Sequence, residues 1–167
     1  MSLQSVTDHL RRFGKDADIL LFEESSATVV LAAEKVGTTP ERIAKTLAFY
    51  DPQDPARAVL IVAAGDARLH NGSFKRAFGG KPKMVTAEDL ETLTGHPVGG
   101  VCPFANPPSA RVYLDASLKR FDVVYPAAGT DRSAVRVAVD ELEALSGAQG
   151  WVEVTNGWAV DGAAPLS

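Results

Sequence analysis

Cysteine is almost absent from this sequence: Cys102 is the one thiol in 167 residues. An internal disulfide is therefore excluded, and too few thiolates remain for the usual structural zinc sets. Histidine is scarce as well. His9, His70 and His96 are widely separated, with no HExxH or CxxC spacing, so no metal site is visible and none is expected. No GxGxxG follows a strand-like run and no Walker loop occurs, which leaves a nucleotide-phosphate cradle without support. The longest apolar run, Ala58 to Ala64, is too short to span a bilayer. The N-terminal segment carries Asp8, Arg11 and Arg12 and lacks the continuous apolar core of a signal peptide, so a cytoplasmic location is expected. Nor does charge of either sign dominate. A net charge of −4 argues against broad, sequence-independent nucleic-acid binding, yet leaves room for a local basic patch that grips one RNA end.

What is present matches an ordinary soluble domain: 46% hydrophobic and 23% charged residues, in a chain long enough to bury one core without staples. There is no internal repeat and no linker, so residues 1–167 are expected to form a single domain.

The pattern along the chain predicts alternating short elements. Val6, Leu10 and Phe13 recur at helical spacing after Ser5, with Gly14 as a left-handed stop. Ile19 to Phe22 reads as a short buried strand, and Thr28 to Val36 as a helix closed by Gly37. Thr39 and Pro40 signal another helix start, with its end near Lys45. Thr46 to Tyr50 and Ala58 to Ala64 read as a hairpin around Pro52 to Pro55. A basic helix is expected over Asn71 to Phe78, a brief strand at Met84-Val85, and a helix capped by Thr86 that runs to Thr94. His96 to Pro108 is rich in glycine and proline but carries Val98, Val101 and Phe104, the composition of a packed and functional loop. Strands are expected at Val112 to Leu114, Val123 to Tyr125 and Ala134 to Val137, and a helix from Val139 to Leu145. Trp151 to Thr155 and Trp158 to Val160 flank Asn156-Gly157, a strong hairpin signal. The irregular alternation points to an α+β fold with a mixed, partly closed sheet flanked by helices, rather than a doubly wound parallel one.

Two segments stand out chemically. Arg42-Ile43-Ala44-Lys45-Thr46-Leu47 places a lysine at a helix-to-strand junction, and Val98-Gly99-Gly100-Val101-Cys102-Pro103-Phe104 is a glycine-rich loop of the form Gly-x-x-x-Pro. Taken singly, Lys45 reads equally as a charge answering a helix dipole, and the loop as an ordinary packed turn. Their order resembles the signature of the YbaK, or ProX-like, family of aminoacyl-tRNA editing deacylases. Further agreement comes from Ala63-Ala64-Gly65-Asp66, Asp115-Ala116-Ser117-Leu118, Ala128-Gly129 and Ser133-Ala134-Val135-Arg136. The resemblance covers residues 22–145 and implies a small free-standing hydrolase that removes mischarged amino acids from tRNA without a cofactor.

An aminoacyl ester is already activated, so such a site need only admit water, orient the carbonyl and stabilise the charge that builds on its oxygen. The resemblance implies that Lys45 matters for hydrolysis and that the backbone of Gly99, Gly100, Val101 and Cys102 forms the oxyanion site. It places Phe22, Thr28, Thr46, Gly65, Asp66, Pro103, Phe104 and Gly129 near the substrate. It also implies that the terminal ribose hydroxyl of the tRNA helps activate water. Some relatives carry a tyrosine where Phe22 stands and a bulky aromatic near Thr28. Alanine or cysteine on proline's tRNA is the most economical substrate, with serine or threonine esters behind it. The expected partners are the tRNA acceptor end and, as a further candidate, an aminoacyl-tRNA synthetase; neither membrane nor DNA is expected.

Other readings compete. Cys102 with His96 suggests a thiol nucleophile and base, although no third orienting residue is evident. His70, Lys75, Arg76, Lys81 and Lys83 form either a guide for the acceptor stem or a solvated face. Trp151 and Trp158 are better read as packing residues than as a base-stacking platform. A non-catalytic binding module on the same fold, or a small acyl-ester hydrolase indifferent to tRNA, remain the alternative functions.

Overall fold

Residues 2–158 are described by a computed structural model. Its centre is the hairpin of β2 (Ile43–Asp51) and β3 (Asp54–Ala64), paired antiparallel from Ala44↔Ala64 to Tyr50↔Ala58. Every residue from Ala58 to Ala64 is fully buried, because β3 lies between β2 and the parallel β5 (Arg111–Asp115) and is covered on both faces. Leu60 and Val62 belong to a large cluster with Val6 and Leu10 of α1 (Ser2–Arg11) and Leu142 of α5 (Val139–Ser146). Val59 and Ile61 point the other way, into a cluster with Phe49 and with Phe74 of α3 (Asn71–Phe78).

The sheet is completed by β6 (Val123–Pro126), parallel to the start of β2, and by β8 (Val137–Ala138) and β9 (Gly150–Val152) at its edges. The strand order is β8-β6-β2-β3-β5-β9, a curled mixed sheet in a single α/β arrangement with helices packed on it. Two small antiparallel ladders lie outside it. One joins β1 (Ile19–Leu21) to β7 (Ser133–Val135), the other β4 (Arg68–Leu69) to β10 (Thr155–Asn156).

Several helix ends fall where their residues predict. Thr28 caps α2 (Val29–Val36) by accepting from the Leu31 amide, and Gly37 closes it in the left-handed region. Gly79, Gly95 and Gly147 close α3, α4 (Ala87–Thr94) and α5 in the same way.

Other expectations are corrected by tertiary structure. The segment after Thr39 makes only a 3-10 turn, Pro40–Arg42, and Lys45 lies inside β2, because Ile43 and Ala44 are taken up by pairing with β6. β1 is not buried: Leu21 is 65% exposed. The single strand expected over Ala134 to Val137 is two, split at the exposed Arg136, so that β7 meets β1 and β8 meets β6. Met84 forms an isolated bridge to Phe49 rather than a strand. The first arm of the hairpin expected at Asn156-Gly157 pairs with β4 as β10; its second arm beyond Trp158 lies outside the described residues. The buried Asp115 carboxylate seats that arm. It accepts from the Ser117 and Val154 amides at 2.9 Å each and from Thr155 Oγ1 at 2.6 Å, which fixes the chain entering β10. Among the described residues, no helix is long and apolar enough to cross a membrane.

Candidate active site

One edge of β2 has a gap in its pairing. β6 pairs with it only at Ile43 and Ala44, and farther on Ala48 O accepts from the Val85 amide while the Tyr50 amide donates to Lys83 O. Strand alternation turns the N–H and C=O of Thr46 to that same side, into the gap between the two contacts. A cavity of about 240 Å³ opens there, lined by Lys45 and Thr46 of β2, Thr28 and Val29 at the start of α2, Gly99 and Val101 of the glycine-rich loop, and Tyr125, Ala127 and Ala134. Its remaining walls include Ala27, Ala32 and Ala44. Among the described residues, Thr46 Oγ1 is the buried side-chain polar atom without a hydrogen-bond partner. A buried hydroxyl left unpaired costs about 1–3 kcal/mol.

Lys45 is oriented from behind. Its Nζ donates to Gly65 O at 3.3 Å and to Ala67 O. An ammonium has three donors, of which these two contacts use two. Burial, the largest influence, holds the Lys45 pKa below its ordinary 10.5; the nearby Arg68 acts in the same direction and Asp66 opposes both. Asp66 itself is engaged with Arg120, at 2.6 and 3.0 Å. It therefore reaches Lys45 through its field rather than by direct contact with a ligand.

The glycine-rich loop is seated by backbone contact. A Cβ on Gly100 would collide with the Gly129 carbonyl and lie 2.8 Å from the Thr130 amide nitrogen, so only glycine lets these two loops meet. Ser133 organises the second loop, accepting from the Ala128 and Thr130 amides at 3.2 and 3.3 Å. The 25–26 segment is tied to the same loop: Ser25 Oγ donates to Asp131 Oδ2 and Ser26 Oγ to Asp131 O. The Gly100 amide donates to Pro97 O at 3.0 Å, which removes it from the available oxyanion donors. Among the described residues, the Gly99 and Val101 amides have no backbone acceptor.

The structure thus brings Lys45, Thr46, Thr28, Gly99 and Val101 to one cavity, with Gly65 behind the lysine. Gly100, Cys102, Pro103 and Phe104 are buried beneath the loop, Gly129 supports it, and Phe22 stands off the cavity with its amide on Arg132 O. The alanines at 32, 44, 127 and 134 were not legible as site residues, because a small side chain carries no chemical signature in a sequence.

A thiol nucleophile does not fit this arrangement. Cys102 is fully buried and burial pushes its pKa up to about 12. His96 Nε2 lies 2.7 Å from the Phe104 carbonyl oxygen, which only accepts, so that nitrogen carries the proton and is no base toward Sγ 3.4 Å away. Native protein should therefore resist iodoacetamide at Cys102, with labelling at the rate of unfolding; rapid alkylation under native conditions, read by mass spectrometry, would contradict the burial. Among the described residues, no three His, Cys, Asp or Glu side chains converge as a metal's donor set would.

Comparison with known proteins adds a family. Residues 23–145 match the family described as the aminoacyl-tRNA editing domain. The chain is 43% identical over 158 residues to the uncharacterized protein YwhH of Bacillus subtilis (strain 168), covering 95% of this chain and 99% of that one. Among solved structures, a protein described provisionally as a trans-editing enzyme for prolyl tRNA synthetase superposes with a TM-score of 0.82 at 32% identity, over 93% of this chain and 98% of that one. The hypothetical protein APE2540 superposes with a TM-score of 0.80 at 28% identity, over 91% and 99%.

Proposed function

The chain belongs to the aminoacyl-tRNA editing domain family and is an aminoacyl-tRNA deacylase; from that premise we propose that it clears alanine or cysteine from proline's tRNA, using Lys45 and the Gly99–Val101 backbone. The observation that carries this reading is the joint placement of Lys45, Gly99 and Val101 around one small, alanine-walled cavity. Walls made of Ala27, Ala32, Ala44, Ala127 and Ala134 surround a small amino-acid side chain closely, and a cavity of about 240 Å³ disfavours larger ones. The relative described as a trans-editing enzyme for prolyl tRNA synthetase supports proline's tRNA as the carrier.

In this mechanism a water oxygen attacks the ester carbonyl carbon. The negative charge that develops on the carbonyl oxygen is taken by the Gly99 and Val101 amides, each such donor being worth about 3–4 kcal/mol in the transition state. The bond to the ribose oxygen then breaks, that oxygen takes up a proton, and the free amino acid leaves. Lys45, held by two carbonyls, supplies a fixed positive charge beside the ester. A neighbouring ribose hydroxyl assists the water, which accounts for the lack of a protein base at the cavity.

The test is the rate of ester loss from tRNAs mischarged with alanine, cysteine, serine or threonine. Alanyl or cysteinyl esters on proline's tRNA should disappear fastest. Stability of every ester would leave a non-catalytic binding module. Equal hydrolysis of free aminoacyl esters would leave a small-ester hydrolase indifferent to tRNA.

A further inference from the structure

Of the three histidines, His96 alone is fully buried, and the proposed hydrolysis makes no use of it. Both of its ring nitrogens are nevertheless engaged. Nε2 donates to the Phe104 carbonyl at 2.7 Å, and Nδ1, left with its lone pair, accepts from Ser2 Oγ of α1 at 2.5 Å. The ring thus ties together the two ends of residues 96–104, the stretch that carries the Gly99 and Val101 amides, and joins both to α1. Its own backbone is fixed where the chain leaves α4: the His96 amide donates to Thr94 Oγ1 at 3.2 Å. A second stitch holds the exit of the stretch, Asn106 Nδ2 donating to Cys102 O at 3.0 Å and to Thr94 O at 2.7 Å. Ser2 reaches the same loop by another route. A Cβ on Gly129 would lie 2.8 Å from the Ser2 carbonyl oxygen, and Gly129 is the residue whose own carbonyl packs on Gly100.

We propose that His96 is a positioning residue of the deacylase: its imidazole, oriented by Ser2, sets the span of the glycine-rich loop and with it the aim of the Gly99 and Val101 amides. The inference rests on the reading that those two amides take the charge of the oxyanion. Such donors act where they stand about 2.7–3.1 Å from the place the oxygen will occupy, and a loop with two adjacent glycines does not hold that geometry unaided. An imidazole suits the task, because it is rigid and presents two hydrogen-bonding atoms at a fixed separation. Burial also keeps the His96 pKa below the ordinary 6.5, so at neutral pH the ring is uncharged and keeps its proton on Nε2, toward Phe104 O. Since the oxyanion forms only as the carbonyl is attacked, a loss of aim should appear in kcat and leave KM nearly unchanged.

His96→Leu, which fills the space without a hydrogen-bonding atom, should lower kcat for the hydrolysed mischarged tRNA about 10²-fold, the scale of a misplacement of about 1 Å. His96→Gln puts an amide donor near the Nε2 position and should recover most of that loss. His96→Asn, whose shorter side chain reaches only as far as Nδ1, should not. A packing role alone would make activity follow urea stability across the three variants and give glutamine no advantage. In ¹⁵N-labelled protein the Gly99 and Val101 amide signals should move in His96→Leu and return toward their parent positions in His96→Gln. Parent-like kcat in His96→Leu, or His96→Gln as slow as His96→Leu, overturns the proposal. Where His96→Leu does not fold, Ser2→Ala decides: a lowered kcat at unchanged KM supports the proposal, and a parent-like kcat overturns it. If the parent protein hydrolyses no charged tRNA, the deacylase reading fails, and the two amide signals still decide whether His96 sets the loop.

Discussion

Lys45→Ala should lower kcat for deacylation about 10²–10³-fold, the scale seen when one electrostatic contact to a developing oxyanion is lost, while the protein stays folded. The reason lies in what holds the ammonium. Two of its donors are spent on Gly65 O and Ala67 O, so the ammonium is already held in place before charge develops. Lys45→Arg should not restore the rate, because a planar guanidinium cannot occupy the same two-carbonyl seat with a compact charge toward the ester. Folding should respond in the opposite sense. Burial holds the Lys45 pKa below 10.5, so the charged form is disfavoured in the folded protein. That penalty is fully present below the folded pKa and is relieved as pH rises through the interval up to 10.5. Lys45→Met should thus match or exceed the parent in urea unfolding at neutral pH while remaining inactive. The activity of the parent, corrected for spontaneous ester loss, should decline on the alkaline side at a lower pH than an ordinary lysine would set. An active Lys45→Ala would remove the lysine from the mechanism.

Gly65→Ala should cost about 3 kcal/mol of stability, at the upper end of the usual range for overpacking, and should impair deacylation as well. Gly65 follows β3 at the point where Pro40 and the start of α2 pass closest. A Cβ there would fall on the Pro40 carbonyl oxygen and lie 2.7 Å from Val29 Cγ1, and a backbone group cannot step aside as a flexible side chain can. The methyl group would push the 3-10 turn and α2 off the sheet end. Val29 lines the first cavity and Gly65 O holds Lys45, so the displacement reaches the site from two directions. Urea titration followed by tryptophan fluorescence, with deacylation measured on the same sample, gives both readouts. A variant as stable as the parent would show that the turn has room to move.

The outline of the site was legible where a local signal carried it. Gly99-x-x-x-Pro103 and Lys45 were recognisable by order along the chain, and Thr28 and Gly37 bracket α2 by capping chemistry that acts within a few residues. The amides proposed as oxyanion donors were legible only as a loop. That Gly100 spends its amide on Pro97, leaving Gly99 and Val101 at the cavity, depends on how the loop lies against Gly129. The gap in the pairing of β2 at Thr46 follows from where β6 ends, which no residue in β2 announces.

The sequence by itself determined the elements whose causes are local: the β2–β3 hairpin from an apolar run and its turn, the helix ends from their caps and glycines, and the exclusion of disulfides from a lone cysteine. Tertiary structure decided what depends on distant partners. Ile43 and Ala44 became strand rather than helix because β6 lies beside them. Thr155 and Asn156 pair with the distant β4, with Val154 and Thr155 held by a carboxylate at residue 115, a partnership that no nearby residue announces. Local propensities are worth tenths of a kcal/mol to about 1 kcal/mol per residue. A buried charge-assisted hydrogen bond contributes about 1.5–3 kcal/mol, so where the two disagree the distant contact prevails.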